Sequence, residues 1–118
     1  MPAHTLTAIL PCTRLDASEA FYAKLGFARV SNYPDYRILS DGKGADLHLT
    51  RTDVSWLAPP DNPFGLYLYT EDIDELAESL GDLILQKPEA KPWGMYEFAL
   101  SDPDGTLVRI GWPLQHGH

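Results

Sequence analysis

Cysteine is all but missing from this chain. Cys12 stands alone among 118 residues, which excludes an internal disulfide and any multi-cysteine zinc site and fits a reducing compartment. Long apolar runs are missing too: none approaches the ~20 residues that span a bilayer. No charged-then-apolar leader is read at the start, so the expectation is a cytoplasmic protein with no membrane partner. Basic residues are scarce, with nine Lys and Arg against seventeen Asp and Glu and a net charge of -8. That balance repels phosphate backbones, argues against nucleic acid as a partner and favours cationic ligands, although solubility alone is served by the same acidity. No glycine-rich phosphate loop and no nucleophile-elbow sequence appears. Cys12 follows Pro11 at the end of an apolar strand, has no base beside it, and reads as a packing residue rather than a nucleophile.

What is present supports a folded unit. An apolar share of 44% with 22% charged residues is ordinary for a globular protein. A single domain over residues 1–118 removes roughly two-thirds of its unfolded surface from water.

The chain carries a repeat. Thr5 to Leu10 alternates as a half-buried strand does, and a helix over about Asp16 to Leu25 follows, with Asp16 and Glu19 set as a capping box and Gly26 at its end. Phe64 to Thr70 reads as another strand, followed by a helix opened by Asp72 and Glu75 and closed by Gly81, with Ile73, Leu76, Ala77 and Leu80 on one face. Asp16 to Asp72 is 56 residues and Gly26 to Gly81 is 55, while Ser40, Asp41 and Gly44 match Ser101, Asp102 and Gly105 at an offset of 61. Strand-like runs surround these turns: Phe27 to Ser31, Asp35 to Leu39 and Asp46 to Thr50, then Leu83 to Lys87, Met95 to Leu100 and Thr106 to Gly111. The reading is α+β, with two βαβββ modules forming curved mixed sheets. Module one covers about 4–51 and module two about 64–112. The Pro-rich segment 52–63 is the linker, and its Trp56 is open to two readings, groove wall or dimer contact.

Period-two alternation assigns Leu6, Ala8, Leu10, Leu47, Leu49, Leu66, Leu68, Val108 and Ile110 to the helix-covered faces. The opposite faces then carry Thr5, Thr7, Ile9, Asp46, His48, Thr50, Gly65, Tyr67, Tyr69, Leu107 and Arg109, and Glu97 suits neither a dry core nor a helix-packed surface. Hydroxyls, a carboxylate, an imidazole, a guanidinium and aromatic rings on one surface suit a ligand site. A partly solvated outer sheet face has the same look.

Two segments, FYAKLGF at Phe21 to Phe27 and the more specific PWGMYEFALSDPDGTLVRIG at Pro92 to Gly111, resemble the glyoxalase/bleomycin resistance/dioxygenase superfamily. The likeness runs from the first strand to Trp112, and the Pro-Trp-Gly run looks like the bleomycin resistance proteins in particular. The resemblance implies paired βαβββ modules and, in metal-dependent members, ligands at recurrent strand positions. Those positions fall on Thr7, Gly65 and Arg109, with the fourth near His48. A divalent ion needs about three imidazole, carboxylate or thiolate ligands, and an arginine sets a positive charge where the ion belongs. The expectation is therefore no metal, no cofactor and no catalytic residue. His48 and Glu97 make at most a two-ligand remnant, and Glu97 with Arg109 reads equally well as an ion pair across neighbouring strands.

The resemblance further implies a homodimer whose interface grooves sequester an aromatic, cationic antibiotic without altering it. Trp93, Tyr33, Tyr36, Tyr67 and Tyr69 are candidate stacking walls, and Asp35, Asp46 and Glu97 candidate carboxylates for a cationic tail, with a solvated surface acid the other reading of each. His48 and Arg109 complete the set, and Arg109 is unhelpful to a cationic drug unless Glu97 neutralises it. The acids Glu71, Asp72, Asp74, Glu75 and Glu78 are explained by capping and the helix dipole and lie outside the site. The competing reading is a metal-dependent glyoxalase, dioxygenase or thiol-transferase with a divergent site, and a third is a protein-interaction module.

Overall fold

The computed structural model describes residues 5–53 and 62–114. Trp56 and most of the linker 52–63 lie outside the described residues. In chain order the elements are β1 (Thr7–Cys12), α1 (Leu15–Ala23), β2 (Ala28–Tyr33), β3 (Tyr36–Ser40), β4 (Asp46–Arg51), β5 (Gly65–Tyr69), α2 (Ile73–Leu80), β6 (Ile84–Ala90), β7 (Met95–Ser101) and β8 (Leu107–Pro113). The architecture is α+β, βαβββ twice. Each module makes a four-stranded mixed sheet, ordered β1-β4-β3-β2 and β5-β8-β7-β6, with one parallel pair and two antiparallel pairs.

The described residues form two compact units, one running to Phe64 and including the turn Pro103–Gly105, the other comprising Gly65–Asp102 and the chain from Thr106 onward. In the first unit α1 packs on its sheet over Leu10, Leu39, Leu47 and Leu49, all buried, with Phe21 and Tyr22 from the helix. In the second, α2 buries Ile73, Ala77 and Leu80, and Phe98, Leu100, Val108 and Ile110 are likewise buried on the sheet. Each such side chain, wholly buried, is worth about 1.5–3 kcal/mol. The period-two assignment holds for Leu10, Leu47, Leu49, Val108 and Ile110, while Ala8, Leu66 and Leu68 are half-buried. Leu6 departs from it. It precedes β1, whose pairing with β4 begins at Thr7, and is 89% exposed.

The helix starts also depart from the sequence reading. α1 begins at Leu15 with Arg14 at the N-cap and no side-chain cap. The Asp16 carboxylate instead accepts from Arg37 at 2.7 Å, and Glu19 accepts from both Arg37 and Arg29. Charge-assisted bonds to guanidinium groups have displaced the capping box. Asp72 does stand at the N-cap of α2 but makes no side-chain cap bond. The C-terminal end of α1 follows expectation, with Gly26 at φ +99 and the Phe27 N–H donating to the Tyr22 carbonyl at 3.1 Å. β1 and β6 run past their expected ends through Pro11 and Pro88, which edge strands tolerate because an outward N–H is not needed.

The DPDG turn is built by its two acids. Asp102, 5% exposed, accepts the Thr106 N–H at 3.0 Å. Within the first unit the Asp104 carboxylate, 3% exposed as a residue, accepts from the backbone N–H of Thr13 at 3.0 Å and from its hydroxyl at 2.6 Å, and the Asp104 backbone carbonyl accepts from the Asn62 side-chain amide at 3.0 Å.

Candidate functional site

On the sheet face of the second unit opposite α2, register places Tyr67 beside Arg109, which pairs onward with Ala99, and Tyr69 beside Gly111, which pairs onward with Glu97. The centre is Glu97, 2% exposed. Its Oε1 accepts two hydrogen bonds, from the Tyr67 hydroxyl at 2.7 Å and the Trp93 indole N–H at 2.9 Å. Its Oε2 faces a guanidinium nitrogen of Arg109 at 3.6 Å. A buried carboxylate is tolerable only with such compensation. The Tyr67 phenol is held well above its ordinary value, first by burial and then by donation to Glu97.

Trp93 owes its position to a tight turn between β6 and β7. Gly94 donates its N–H to the Lys91 carbonyl at 3.0 Å, and Lys91 donates to Met95 at 2.8 Å. Pro92 presets the second position and Gly94 takes φ +85. The indole is 57% exposed yet held by its bond to Glu97. Lys91 Nζ and the Arg109 guanidinium carbon each lie 6.0 Å from the indole centroid. The Tyr67 and Tyr69 rings are 4.9 Å apart at 45°, giving a second aromatic wall.

In the first unit the corresponding face brings Tyr36 and His48 together. The phenol oxygen and Nδ1 are 2.6 Å apart, with the rings edge to face at 5.3 Å. Tyr33 pairs with Tyr36 across the β2–β3 hairpin and is 56% exposed. Asp35 and Asp46 stand at opposite ends of the β3–β4 pair: Asp35, in the turn before β3, is 3.8 Å from Arg51, and Asp46 is in register with Ser40. The ten candidate residues thus divide into Tyr67, Tyr69, Trp93, Glu97 and Arg109 in one unit and Tyr33, Asp35, Tyr36, Asp46 and His48 in the other.

Two contributors were not singled out from the sequence. Lys91 flanks Trp93 and is bonded to Glu89 at 2.6 Å. Gly111 matters through what it lacks. A methyl there would stand 2.8 Å from Glu97 Cβ and inside contact distance of the Tyr67 hydroxyl, so only glycine lets Tyr67 reach the carboxylate. A glycine inside a strand marks close approach, and that signal was available. On the helix side of the same sheet, two acids of the α2 region, Glu71 and Asp74, line a cavity of about 300 Å³ with Tyr96 and Trp112. The Tyr96 hydroxyl donates to Asp74 at 2.5 Å.

The family model of the glyoxalase/bleomycin resistance protein/dioxygenase superfamily matches residues 2–110. The chain belongs to this superfamily. A bleomycin resistance protein of Klebsiella pneumoniae is 32% identical, over 86% of this chain and 86% of that protein. The crystal structure of a bleomycin resistance determinant encoded on the transposon Tn5 is 30% identical with a TM-score of 0.80, covering 94% of this chain and 98% of that one. A bleomycin-binding protein crystallised with bleomycin is 28% identical with a TM-score of 0.76, covering 93% and 98%.

Set against the superfamily's metal positions, the residues present do not fit an ion. Thr7 offers a neutral hydroxyl, Gly65 no side chain and Arg109 a cation turned to Glu97, while His48 Nδ1 faces the Tyr36 hydroxyl. Among the described residues no three His, Cys, Asp or Glu side chains are grouped to hold a metal. Among them, too, no helix is long and apolar enough to cross a membrane.

Proposed function

We propose that this protein binds an aromatic antibiotic of the bleomycin class in the cytoplasm and sequesters it unaltered and without metal, as a homodimer whose interface forms the binding grooves. The observation that carries the reading is Trp93, a largely exposed indole fixed by a buried carboxylate that is itself held by Tyr67 and Arg109. An exposed ring held in one orientation has little freedom left to lose when a ligand stacks on it. Similarity to bleomycin resistance proteins over most of the chain supports the same reading.

Energetics support a second subunit. A stacked aromatic pair adds about 0.5–1.5 kcal/mol beyond its buried area, whereas micromolar affinity needs about 8 kcal/mol. A ligand on an open sheet face buries one side only. Covering its other side adds about 25 cal/mol for each Å² of apolar surface removed from water. On the second unit's sheet Tyr69 and Trp93, each more than half exposed, are the surfaces assigned to that closure.

The test is a calorimetric titration of metal-stripped protein with metal-free and copper-loaded bleomycin, with mass analysis of the recovered drug and elemental analysis of untreated protein. The expected result is saturable binding at one drug per subunit and unchanged drug. Absence of binding, altered drug, or a stoichiometric transition metal in the untreated protein overturns the proposal, the last two in favour of the metalloenzyme reading.

A further inference from the structure

The charges around Trp93 are arranged against a cationic ligand group. Glu97 is buried, both acceptors on Oε1 are taken, and Oε2 faces Arg109. The other carboxylate tied into this arrangement, Glu89, is bonded to Lys91 at 2.6 Å and held below the usual carboxylate range by that partner. Both cations already sit 6.0 Å from the indole centroid, occupying the electrostatic role that a ligand ammonium would take over a tryptophan face. Of the two, Lys91 is 12% exposed at its side chain and Arg109 is 44% exposed. A guanidinium has five N–H donors in a planar fork, and Glu97 engages this one only at 3.6 Å.

Resting on the antibiotic-binding reading, which stacks an aromatic group of the ligand on Trp93, we infer that Arg109 selects what that group carries on its edge: a carboxylate or carbonyl, received by the guanidinium. The cationic part of a mixed-charge ligand is excluded from this face. Arg109 is then a specificity-determining residue, and Glu97 acts through Trp93 and Arg109 as a positioning residue that holds both.

The experiment uses the full chain, ¹⁵N-labelled, with the Trp93 indole N–H signal assigned by Trp93→Phe. The probes share one ring system: naphthalene-2-carboxylate, its 2-carboxamide, and 2-(aminomethyl)naphthalene. The carboxylate is expected to shift the Trp93 signal with an affinity at least tenfold above that of the ammonium compound, the carboxamide lying between. Arg109→Gln is expected to bring the three within about threefold, and Arg109→Lys to keep the carboxylate first. An ammonium probe that binds as tightly as the carboxylate, or an order unchanged in Arg109→Gln, overturns the inference. If Arg109→Gln does not fold, the wild-type order and Arg109→Lys decide. A parallel bleomycin titration separates the two claims. Drug binding without carboxylate preference removes the inference and leaves the antibiotic reading standing, whereas carboxylate preference without drug binding does the reverse.

Discussion

Tyr67 reaches Glu97 across the place where position 111 has no side chain. The phenol donates to Oε1 at 2.7 Å, and a Cβ at Gly111 would collide with that hydroxyl and approach Glu97 Cβ to 2.8 Å. Gly111→Ala is therefore expected to push Tyr67 away and leave a buried carboxylate with one donor fewer. Overpacking and a lost bond to a charged group together cost about 2–4 kcal/mol. Urea denaturation of Gly111→Ala, Tyr67→Phe and the double variant checks this. The double variant is expected to be less destabilised than the sum of the two, because the collision and the lost bond involve the same hydroxyl. Simple additivity counts against the arrangement.

Much of this was legible beforehand, for a physical reason. Alternation in β4 and β8 reports burial directly, so Leu47, Leu49, Val108 and Ile110 were read correctly, and the repeated turns at Asp41 and Asp102 fixed both hairpins. What stayed hidden depends on partners distant in sequence. Nothing local shows that Asp16 turns to Arg37, 21 residues on, rather than to its own helix. Nor does any spacing reveal that Thr13 and Asp104, 91 residues apart, are bonded. At the candidate site the residue types were visible on one face, but the direction of Arg109 and the engagement of Glu97 are set by partners on other strands and turns. Expectations for most of the linker, Trp56 included, fall outside the described residues.

Asp104 tests the turn. Its carboxylate satisfies both the N–H and the hydroxyl of Thr13 from a buried position. Asp104→Ala leaves both groups without that acceptor, at a cost of about 2–3 kcal/mol, which corresponds to a Tm lower by roughly 10 °C. Asp104→Asn keeps one strong acceptor and is expected to lose less than half as much. Thermal melts of both variants check the order. Equal losses would show that shape rather than the carboxylate holds the turn.

Trp93 separates folding from binding. Because the indole is 57% exposed, Trp93→Ala removes little buried surface, but it leaves Glu97 one donor short, a cost of about 1.5–3 kcal/mol, so the Tm is expected to fall by roughly 10 °C with the protein still folded. Bleomycin affinity, on the proposed function, falls at least tenfold, equivalent to about 1.4 kcal/mol. Trp93→Phe keeps a ring but loses the donor to Glu97, so its affinity is expected between the two. Calorimetry on all three proteins is the measurement. Unchanged affinity in a folded Trp93→Ala protein removes Trp93 from the site.

The Tyr67 phenol carries a signature at alkaline pH. Its folded pKa is raised above the ordinary 10.0 by burial and by donation to Glu97, so the folded state keeps this proton where the unfolded chain has released it. The associated stability is fully present below pH 10 and is lost as pH rises through the folded value. Above pH 10 the unfolding free energy of the wild type is thus expected to fall more steeply with pH than that of Tyr67→Phe, whose other groups titrate as before. Tyr96, raised by its bond to Asp74, is common to both proteins and cancels in the comparison. Urea titrations between pH 9 and 11, with phenolate absorbance followed in parallel, measure the difference. Parallel slopes would mean that Tyr67 is solvated and does not hold Glu97.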